Sequence, residues 1–303
     1  MSTLELALDR LSRGPVCGYM AEGQPASEPT ALAAMALAAH GRLEPARAAL
    51  DWLAGLQSDE GSVGIDFSRP RPRWATGWAL LAWQTALGLD PAAWPAGASA
   101  RWQQAADRAV VWMRSLHGKP LDPTRLYGHD TTLRGWPWVE TTHSWVEPTS
   151  IAVLALKAAG CSFDLRVREA IAMLLDRMLP DGGWNYGNTV VLGNTLRAHV
   201  QPTGLALAAL HDERAAEEHV RASIAYLERA LDRTTATASL CYAVLGAAAH
   251  GHRFAKTDAW LESAARATLK RDPSPYKLAL LALAGLGEVC PWFTPTRQKS
   301  YEL

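Results

Sequence analysis

Residues 135–160 read GWPWVETTHSWVEPTSIAVLALKAAG, an aromatic loop that runs directly into an apolar helix. Glu147-Pro148-Thr149 predicts the helix start, because proline at the first helical position gives up no hydrogen bond and its fixed φ suits a helix. The same start recurs as Glu28-Pro29-Thr30, Gln201-Pro202-Thr203 and Ser274-Pro275-Tyr276. From Thr30, Thr149 and Tyr276 to the glycine that ends each helix, the distance is eleven residues. The chain therefore contains an internal repeat.

Two kinds of helix alternate along the chain. Segments with a single apolar stripe are predicted at 3–12, 44–57, 101–116, 165–179, 214–231 and 257–270. Each precedes a segment that is apolar on nearly all sides, predicted at 29–40, 75–87, 148–159, 202–211, 237–249 and 275–286. A helix that is apolar all round must be covered on most of its circumference, whereas one stripe needs one buried side. We therefore predict an all-α fold, an (α/α)6 toroid of six helical hairpins with an apolar inner ring and an amphipathic outer ring.

An open solenoid is the competing arrangement, since repeats can stack without closing. Closure is favoured because a superhelix of six pairs would leave inner helices exposed at both ends. We expect residues 1–288 to form a single toroid domain, followed by a C-terminal tail at 289–303 without helical period. The long connections lead from outer to inner helices, so they should gather at one mouth of the ring. The inner-helix N-termini at this mouth would favour an anion.

The composition of the chain argues against several classes of protein and site. Thirty Lys and Arg balance thirty Asp and Glu, which gives no reason to expect a nucleic-acid partner. The four cysteines are far apart with no C-x-x-C pair, which argues against structural zinc and against a disulfide framework. No signal-peptide core and no membrane-spanning apolar run are present. We expect a cytoplasmic protein without a metal or cofactor; peripheral membrane contact and a partner protein are left open.

The loops between the helices resemble those of a known superfamily. Segment 57–63, QSDEGSV, keeps the Gln and Gly of a Q-x3-G-x-W signature, and segment 178–184, MLPDGGW, keeps its Gly and Trp. Through these loops, residues 28–287 resemble the squalene/terpenoid cyclase and protein prenyltransferase repeat superfamily, which places the signature between the helices of an α/α toroid. The resemblance implies the fold and an isoprenoid or similar apolar substrate.

The chain departs from that superfamily at the catalytic motifs. It has neither the D-x-D-D motif nor the Asp-Cys-Thr variant with which class II terpene cyclases protonate an alkene or epoxide. Cys241-Tyr242 is similar to the Cys-Tyr helix of the zinc-dependent prenyltransferases, but the preceding repeat supplies neither Asp nor Cys. The resemblance is thus more specific for the fold than for the reaction, and we expect no bound zinc.

Thirteen tryptophans are present, and many are expected only to pack between the rings or to tie loops together. Aromatic side chains in mouth loops or first turns of inner helices are candidates for lining a central cavity. There they would hold an isoprenoid and stabilise a cation by roughly 0.5–2 kcal/mol per contact. The substrate-binding candidates are Trp74, Trp78, Tyr127, Trp136, Trp138, Trp145, Trp184 and Tyr186, together with Arg134.

Three titratable groups near the aromatic loop are catalytic candidates. Asp130 is the first choice for a proton donor or substrate anchor, because a buried acid among aromatics would have a raised pKa. Glu147 is also a candidate, although the helix dipole favours a carboxylate at a helix start, as at Glu28. His143 is a candidate base, although a histidine bonded inside its loop is the commoner case. The arginines at 69, 71, 73, 125 and 134 either hold a diphosphate or are simply solvated.

These features predict a terpenoid-cyclase-like or prenyl-handling enzyme that binds an isoprenoid or similar apolar substrate in a Trp-lined central cavity. The alternative is a non-catalytic toroid that binds a ligand or a partner protein through its mouth loops. A deep pocket that ends near a carboxylate would favour the enzyme, and a ring filled by side chains would favour the binding toroid.

Overall fold

The computed structural model describes residues 2–121 and 127–293, and within them it contains twelve α-helices and one short β-hairpin. The helices with one buried face are α1 (Thr3–Arg13), α3 (Leu43–Gly55), α5 (Ala98–Ser115), α7 (Leu165–Asp176), α9 (Glu217–Ala230) and α11 (Thr257–Arg271). The helices buried nearly all round are α2 (Ser27–Ala39), α4 (Thr76–Leu87), α6 (Val146–Ala158), α8 (Val200–Ala209), α10 (Thr237–Ala248) and α12 (Pro275–Ala284). Strands β1 (Val190–Val191) and β2 (Asn194–Thr195) pair in the loop before α8.

The inner helices form a closed ring. Each one packs on the next in chain order, and α12 packs on α2. In α7 the buried residues follow one stripe that includes Val167, Ile171 and Leu174, whereas nearly all of α6 is buried. The predicted toroid with its inner and outer rings is therefore confirmed. The open solenoid is excluded, because a solenoid has no contact between its first and last inner helices.

A repeated threonine attaches each long mouth loop to the inner helix that follows it. The Thr149 hydroxyl accepts a hydrogen bond from the Trp136 backbone N–H at 2.9 Å and donates to the Trp136 carbonyl at 3.3 Å. The same paired contact joins Thr30 to Cys17, Thr76 to Val63, and Thr203 to Trp184. The threonine of the repeat thus sets the depth of each inner helix, and it places Glu28 and Glu147 at equivalent positions.

We expect Thr203→Val to lower the free energy of unfolding by about 1–3 kcal/mol, because valine keeps the shape and leaves the buried Trp184 N–H without its acceptor. Denaturant titration measures the loss. Thr85→Val is the matched control, since the buried Thr85 hydroxyl donates to Leu81 O within its own helix. That variant should change stability by less than about 1 kcal/mol. Equal losses in the two variants would contradict the role of the threonine contact.

Two glycines bring α8 and α10 into direct backbone contact. A Cβ built on Gly204 would lie 2.3 Å from the Tyr242 carbonyl oxygen, and one on Gly246 would lie 2.3 Å from the Gly204 carbonyl oxygen. No side chain fits at either position. This contact fixes α10, and with it Tyr242, against the neighbouring inner helix.

The chain after α12 turns back into the packed core. A 3-10 helix covers Gly287–Val289, and then Cys290 and Trp292 are fully buried. The core therefore continues past the predicted domain end at residue 288, at least as far as Trp292. The rest of the predicted tail, from 294 to 303, lies outside the described residues. In the ranges that are described, no helix is both long enough and apolar enough to cross a membrane.

Candidate functional site

Glu28 lies in the first turn of α2 and points towards the axis of the ring. Its carboxyl accepts hydrogen bonds from the Tyr19 hydroxyl at 2.5 Å and from the Tyr242 hydroxyl at 3.4 Å. Tyr242 belongs to α10, and α12 separates α10 from α2 in the ring. Glu28 must therefore reach inward to make this contact, and Tyr19 covers it from the loop before α2.

Burial raises the pKa of Glu28 to about 8, against the hydrogen bonds from Tyr19 and Tyr242, which lower it. The nearby charge of Glu147 raises it as well. Only 7% of the Glu28 surface is exposed. Within the described residues, no positively charged side chain shifts the pKa of either glutamate. Glu28 is therefore mainly a neutral carboxylic acid at pH 7.

Glu147 occupies the equivalent first-turn position in α6 and is 7% exposed. Its Oε1 accepts a hydrogen bond from Gln201 Nε2 at 3.0 Å. Burial raises the pKa of Glu147 to about 7, against the lowering effect of Gln201. Glu28 and Glu147, here called the acid pair, thus present one mainly neutral and one largely ionised carboxyl just above neutral pH. Burial thus raises the pKa of both carboxyls into the range where a group can hold or release a proton near neutral pH.

Three tyrosines connect the acid pair to the mouth. The Tyr242 hydroxyl lies 3.2 Å from that of Tyr276, and the rings of Tyr276 and Tyr19 are 5.3 Å apart. Burial raises the pKa of Tyr19, Tyr242 and Tyr276, so all three hydroxyls keep their protons. Tyr19 is 41% exposed. The Tyr19 and Tyr242 hydroxyls therefore both donate to Glu28, and Tyr276 extends this hydroxyl cluster through Tyr242.

An aromatic layer lies beneath the acid pair. Trp78 and Tyr242 project from opposite inner helices, and their ring centroids are 6.5 Å apart, so they meet near the ring axis. Trp292 packs on Trp78 at 5.3 Å and on Tyr242 at 6.3 Å. Trp74 is the residue of α4's repeat that corresponds to Glu28. Trp78 follows it by four residues, so Trp78 lies about 6 Å deeper in the ring than the level of Glu28. Trp78, Tyr242 and Trp292, here called the aromatic layer, are each at most 1% exposed. Side chains therefore fill the ring axis at this depth, which is the outcome that favours the binding toroid over a deep pocket.

Asp130 is not the buried acid that the sequence led us to expect. Its carboxylate accepts hydrogen bonds from the side chain and the backbone N–H of Thr132, and these lower its pKa. The residue is exposed. The expectation of a raised pKa is wrong because Asp130 caps a turn at the surface, where water and N–H donors stabilise the charge.

His143 and Trp145 lie in a loop that Arg177 holds in place. The buried Arg177 Nη1 donates to the carbonyl oxygens of Ser144 and Gly187, which joins two mouth loops. The His143 ring packs on Trp145 at 4.5 Å, and both are half-buried. Burial and the Arg177 charge lower the pKa of His143. His143 is therefore neutral at pH 7, and its role as a base stays a prediction.

Trp136 and Trp184 are buried between the two rings rather than exposed at the mouth. The Trp136 indole N–H donates to Met113 O of α5, and that of Trp184 donates to Leu174 O of α7. Their exposed fractions are 3% and 0%. Many tryptophans were expected only to pack between the rings, and Trp136 and Trp184 do so. Their placement does not support the prediction that they contact a substrate.

The remaining aromatic candidates lie nearer the surface. Trp74 and Trp138 form a T-shaped pair at 4.8 Å, and both are half-buried. Tyr186 is 46% exposed, and its pKa is raised by burial and by the charge of Glu147. The structure thus brings Tyr186 close to Glu147. Tyr127 packs on His129 at 6.0 Å, in the loop that carries Asp130.

The arginines of the mouth loops are paired with carboxylates. Arg134 binds Glu169 at 2.9 Å, Arg69 binds Asp66, and Arg73 binds Glu60 at 2.6 Å. Arg71 is exposed, and Arg125 lies outside the described residues. These pairs neutralise Arg69, Arg73 and Arg134, three of the five arginines for which the sequence left open either a diphosphate or solvent.

The cysteines are buried free thiols. Burial raises the pKa of Cys241, so it packs as a small apolar group behind Tyr242. In residues 2–121 and 127–293, no group of three or more His, Cys, Asp or Glu side chains is placed to hold a metal ion.

Sequence reasoning treated Glu28 as a helix-start residue and missed Tyr19, Tyr276 and Trp292. A signal for Glu28 was present in the repeat. Glu28 and Glu147 occupy the position that Trp74, Gln201 and Ser274 occupy in the other aligned repeats, where no charge is needed to start the helix. No comparable signal marks Trp292, which lies in a segment without period.

Known protein structures resemble this chain in fold more than in sequence. A variant of the type II terpene cyclase MstE from Scytonema, in complex with its substrate geranylgeranyl dihydroxybenzoate, aligns with a TM-score of 0.57 and 12% identity. The alignment covers 96% of this chain and 98% of that chain. An inactive variant of the α-1,6-mannanase GH76A of Salegentibacter sp. HEL1_6, in complex with α-1,6-mannotriose, gives 0.59 and 11% over 96% and 99%.

A protein from Actinoplanes aligns with a TM-score of 0.55 and 18% identity over 87% of this chain and 78% of that chain. No protein-family model and no curated protein matches the sequence. At these identities the likeness concerns the fold. The chain is therefore an α/α toroid of the kind seen in a type II terpene cyclase and in an α-1,6-mannanase, in agreement with the resemblance of its loops to the toroid superfamily.

Proposed function

We propose that this protein is a terpenoid-cyclase-like or prenyl-handling enzyme that opens an oxygen function on an isoprenoid or similarly apolar molecule by acid catalysis. Glu28 is the proton donor. The observation that carries the proposal is the acid pair, which is buried at the mouth above the aromatic layer, with no cation among the described residues that shifts the pKa of either carboxyl. A buried carboxyl without a positive partner costs stability. The fold does not require it, since Ser274 starts an inner helix at the same repeat position.

The state of Glu28 decides which atom it protonates. General acid catalysis works best when the pKa of the donor lies near the working pH, and Glu28 with a pKa of about 8 meets this condition. Such an acid is suited to the oxygen of an epoxide, an ether or a leaving hydroxyl. A bare carbon–carbon double bond needs a stronger acid. The missing D-x-D-D motif is consistent with this assignment.

Proton transfer from Glu28 would break the carbon–oxygen bond and leave positive charge on carbon. The ring of Tyr242 lies beside the acid, and Trp78 and Trp292 pack behind it; the three rings together would stabilise that charge. Glu147, with its lower pKa, would then take a proton from carbon or from an attacking water. Tyr19, which donates to Glu28 and is partly exposed, would return a proton to Glu28 from solvent.

The apolar substrate class rests on the aromatic surroundings of the acid pair. The terpene cyclase with the same fold binds a geranylgeranyl compound, which supports this class. The proposal includes a cytoplasmic location, where free thiols persist, and peripheral membrane contact as a route for an apolar substrate.

The test uses the terminal epoxide of geranylgeraniol, geranylgeraniol itself and α-1,6-mannotriose as probes. We expect the wild-type protein to convert the epoxide only, and Glu28→Gln to lower that rate by about 100-fold or more while leaving binding nearly intact. Gas chromatography with mass spectrometry measures conversion, and quenching of Trp fluorescence measures binding. Glu60→Gln is the control, because this exposed carboxylate pairs with Arg73 in a mouth loop.

Three other results would contradict parts of this proposal. Binding of geranylgeraniol without conversion of the epoxide would favour the non-catalytic toroid. Cleavage of α-1,6-mannotriose would overturn the apolar substrate class. Loss of turnover in Asp130→Asn with full activity in Glu28→Gln would move the acid to the position first predicted from the sequence.

A further inference from the structure

The C-terminal segment enters the ring from the end opposite the mouth. The inner helices are parallel and begin at the mouth, so α12 ends at the far side at Ala284. From there the chain crosses the far end of the ring towards α8. Cys290 is completely buried, and Phe293 lies 5.7 Å from His211, which follows α8. The intervening Trp292 points into the ring.

Trp292 closes the ring axis directly beneath the acid pair. Its ring contacts Trp78 and Tyr242, and the Tyr242 hydroxyl contacts Glu28 at 3.4 Å. One side chain therefore separates Trp292 from the proposed proton donor. A ligand that moves inward past Glu28 would meet Tyr242 and then this tryptophan.

Two indole N–H groups in the aromatic layer have no acceptor. Trp78 Nε1 and Trp292 Nε1 are both buried, and neither has a hydrogen-bond partner in the described residues. Other buried tryptophans use this group: Trp83 donates to Leu50 O and Trp94 to Ala86 O. Buried donors without a partner are rare in folded proteins. The two rings that carry these donors are in contact, with centroids 5.3 Å apart, so two buried donors without an acceptor among the described residues belong to one cluster.

We propose that Trp78 and Trp292 form a binding subsite for the oxygen function of the ligand, so that the C-terminal segment completes the site. This inference rests on the proposed function. The oxygen-bearing end of the apolar molecule enters first and accepts hydrogen bonds from the two indoles at the floor, where the Tyr242 hydroxyl links this subsite to Glu28. The hydrocarbon chain then extends towards the mouth. Trp292 is a binding residue and takes no part in proton transfer.

The test compares two probes that differ by one oxygen: geranylgeraniol and its terminal epoxide. Binding is measured by isothermal titration calorimetry in the Glu28→Gln background, so that no turnover occurs. Without further change the protein should bind the epoxide more tightly than geranylgeraniol. Adding Trp292→Phe, which keeps an aromatic floor and removes the donor, should reduce that preference by about 2- to 10-fold. Trp78→Phe should act in the same way, and it replaces Trp292→Phe if that variant does not fold.

Trp83→Phe is the matched control, since it removes an indole that is already hydrogen-bonded in the same helix as Trp78. It should leave the preference unchanged. In the ligand-free protein, Trp78→Phe should lower Tm by fewer degrees than Trp83→Phe, because it breaks no hydrogen bond.

The failure of this inference can be told from that of the proposed function. An epoxide preference that persists in both Trp292→Phe and Trp78→Phe would overturn the subsite and leave the substrate class standing. If neither probe binds, the substrate class is wrong, and the subsite is overturned with it.

Discussion

Between about pH 5 and pH 8, the wild-type protein should lose stability that the Glu28→Gln variant keeps. The pKa of Glu28 is raised from 4.5 to about 8 in the folded protein. Below pH 4.5 the folded and the unfolded states both hold the proton, so the full stability is present. As the pH rises, the unfolded state releases its proton first and is favoured. The loss ends only when the pH passes the folded value, near 8.

The size of the stability change with pH follows from the size of the pKa shift of Glu28. One pKa unit corresponds to about 1.4 kcal/mol, so the change across this window is on the order of 3 to 5 kcal/mol for Glu28. Denaturant titrations of both proteins at a series of pH values measure it, and the difference between them isolates Glu28. The variant should also be the more stable protein at pH 8, although we expect it to be inactive. That combination is typical of a residue kept for function.

Glu213→Gln supplies a control of opposite sign. Burial acts to raise the pKa of Glu213, but hydrogen bonds from Lys157 and Arg168 outweigh it and leave the pKa lowered. The contribution of Glu213 is therefore present at neutral pH and is lost as the pH falls. Replacing it should destabilise the protein at pH 7. If Glu28→Gln has the same pH dependence as the wild-type protein, Glu28 does not hold a proton in the folded state.

The second large effect is expected at the contact between α8 and α10. Gly246→Ala should lower the free energy of unfolding by about 3 kcal/mol or more, because the new Cβ would lie 2.3 Å from the Gly204 carbonyl oxygen. Backbone cannot rotate away as a side chain can, so the two helices must separate. Denaturant titration measures the loss. Because Tyr242 lies on α10, we also expect weaker binding of an apolar ligand.

Gly285→Ala is the matched control for this prediction. Gly285 follows α12 with φ of −63°, is exposed, and would place its Cβ 3.4 Å from the nearest atom, a carbonyl of its own helix. Alanine at such a position should be neutral or stabilise the protein by up to about 1 kcal/mol. Similar stability in Gly246→Ala and Gly285→Ala would mean that α8 and α10 lie further apart than described.

The two-ring architecture was predictable because its signals are local. The all-round apolarity of segments such as 148–159 and the Pro-Thr step before them both act over a few residues. The Pro-Thr step did not reveal that its threonine also binds the backbone of the preceding mouth loop. Thr149 lies in the first turn of α6, after Pro148, which is the third helical residue and not the first as predicted. It also binds the backbone of Trp136, thirteen residues earlier. The repeat displays the residue but not its distant partner.

The candidate site was predicted only in part, because burial of a charged side chain is a long-range property. Asp130 and Glu28 look alike in the sequence, yet one caps a surface turn and the other lies beneath Tyr19. A carboxylate at a helix start is normally exposed and stabilised by the dipole. At Glu28 and Glu147 the convergence of six inner helices excludes water and outweighs that stabilisation.

The sequence by itself determined which helices are inner and outer, where the inner helices begin to within two residues, and that the ring has an aromatic mouth. These features follow from hydrophobic period and from the geometry of proline at a helix start. Only the tertiary structure decided which first-turn side chains meet at the axis and which groups lie beneath them. Glu28 and Tyr242 are separated by 214 residues, and Trp292 reaches the same cluster from the end of the described chain. Ring closure brings them together, and the loss of water there, rather than any local pattern, sets the proton affinity of the acid pair.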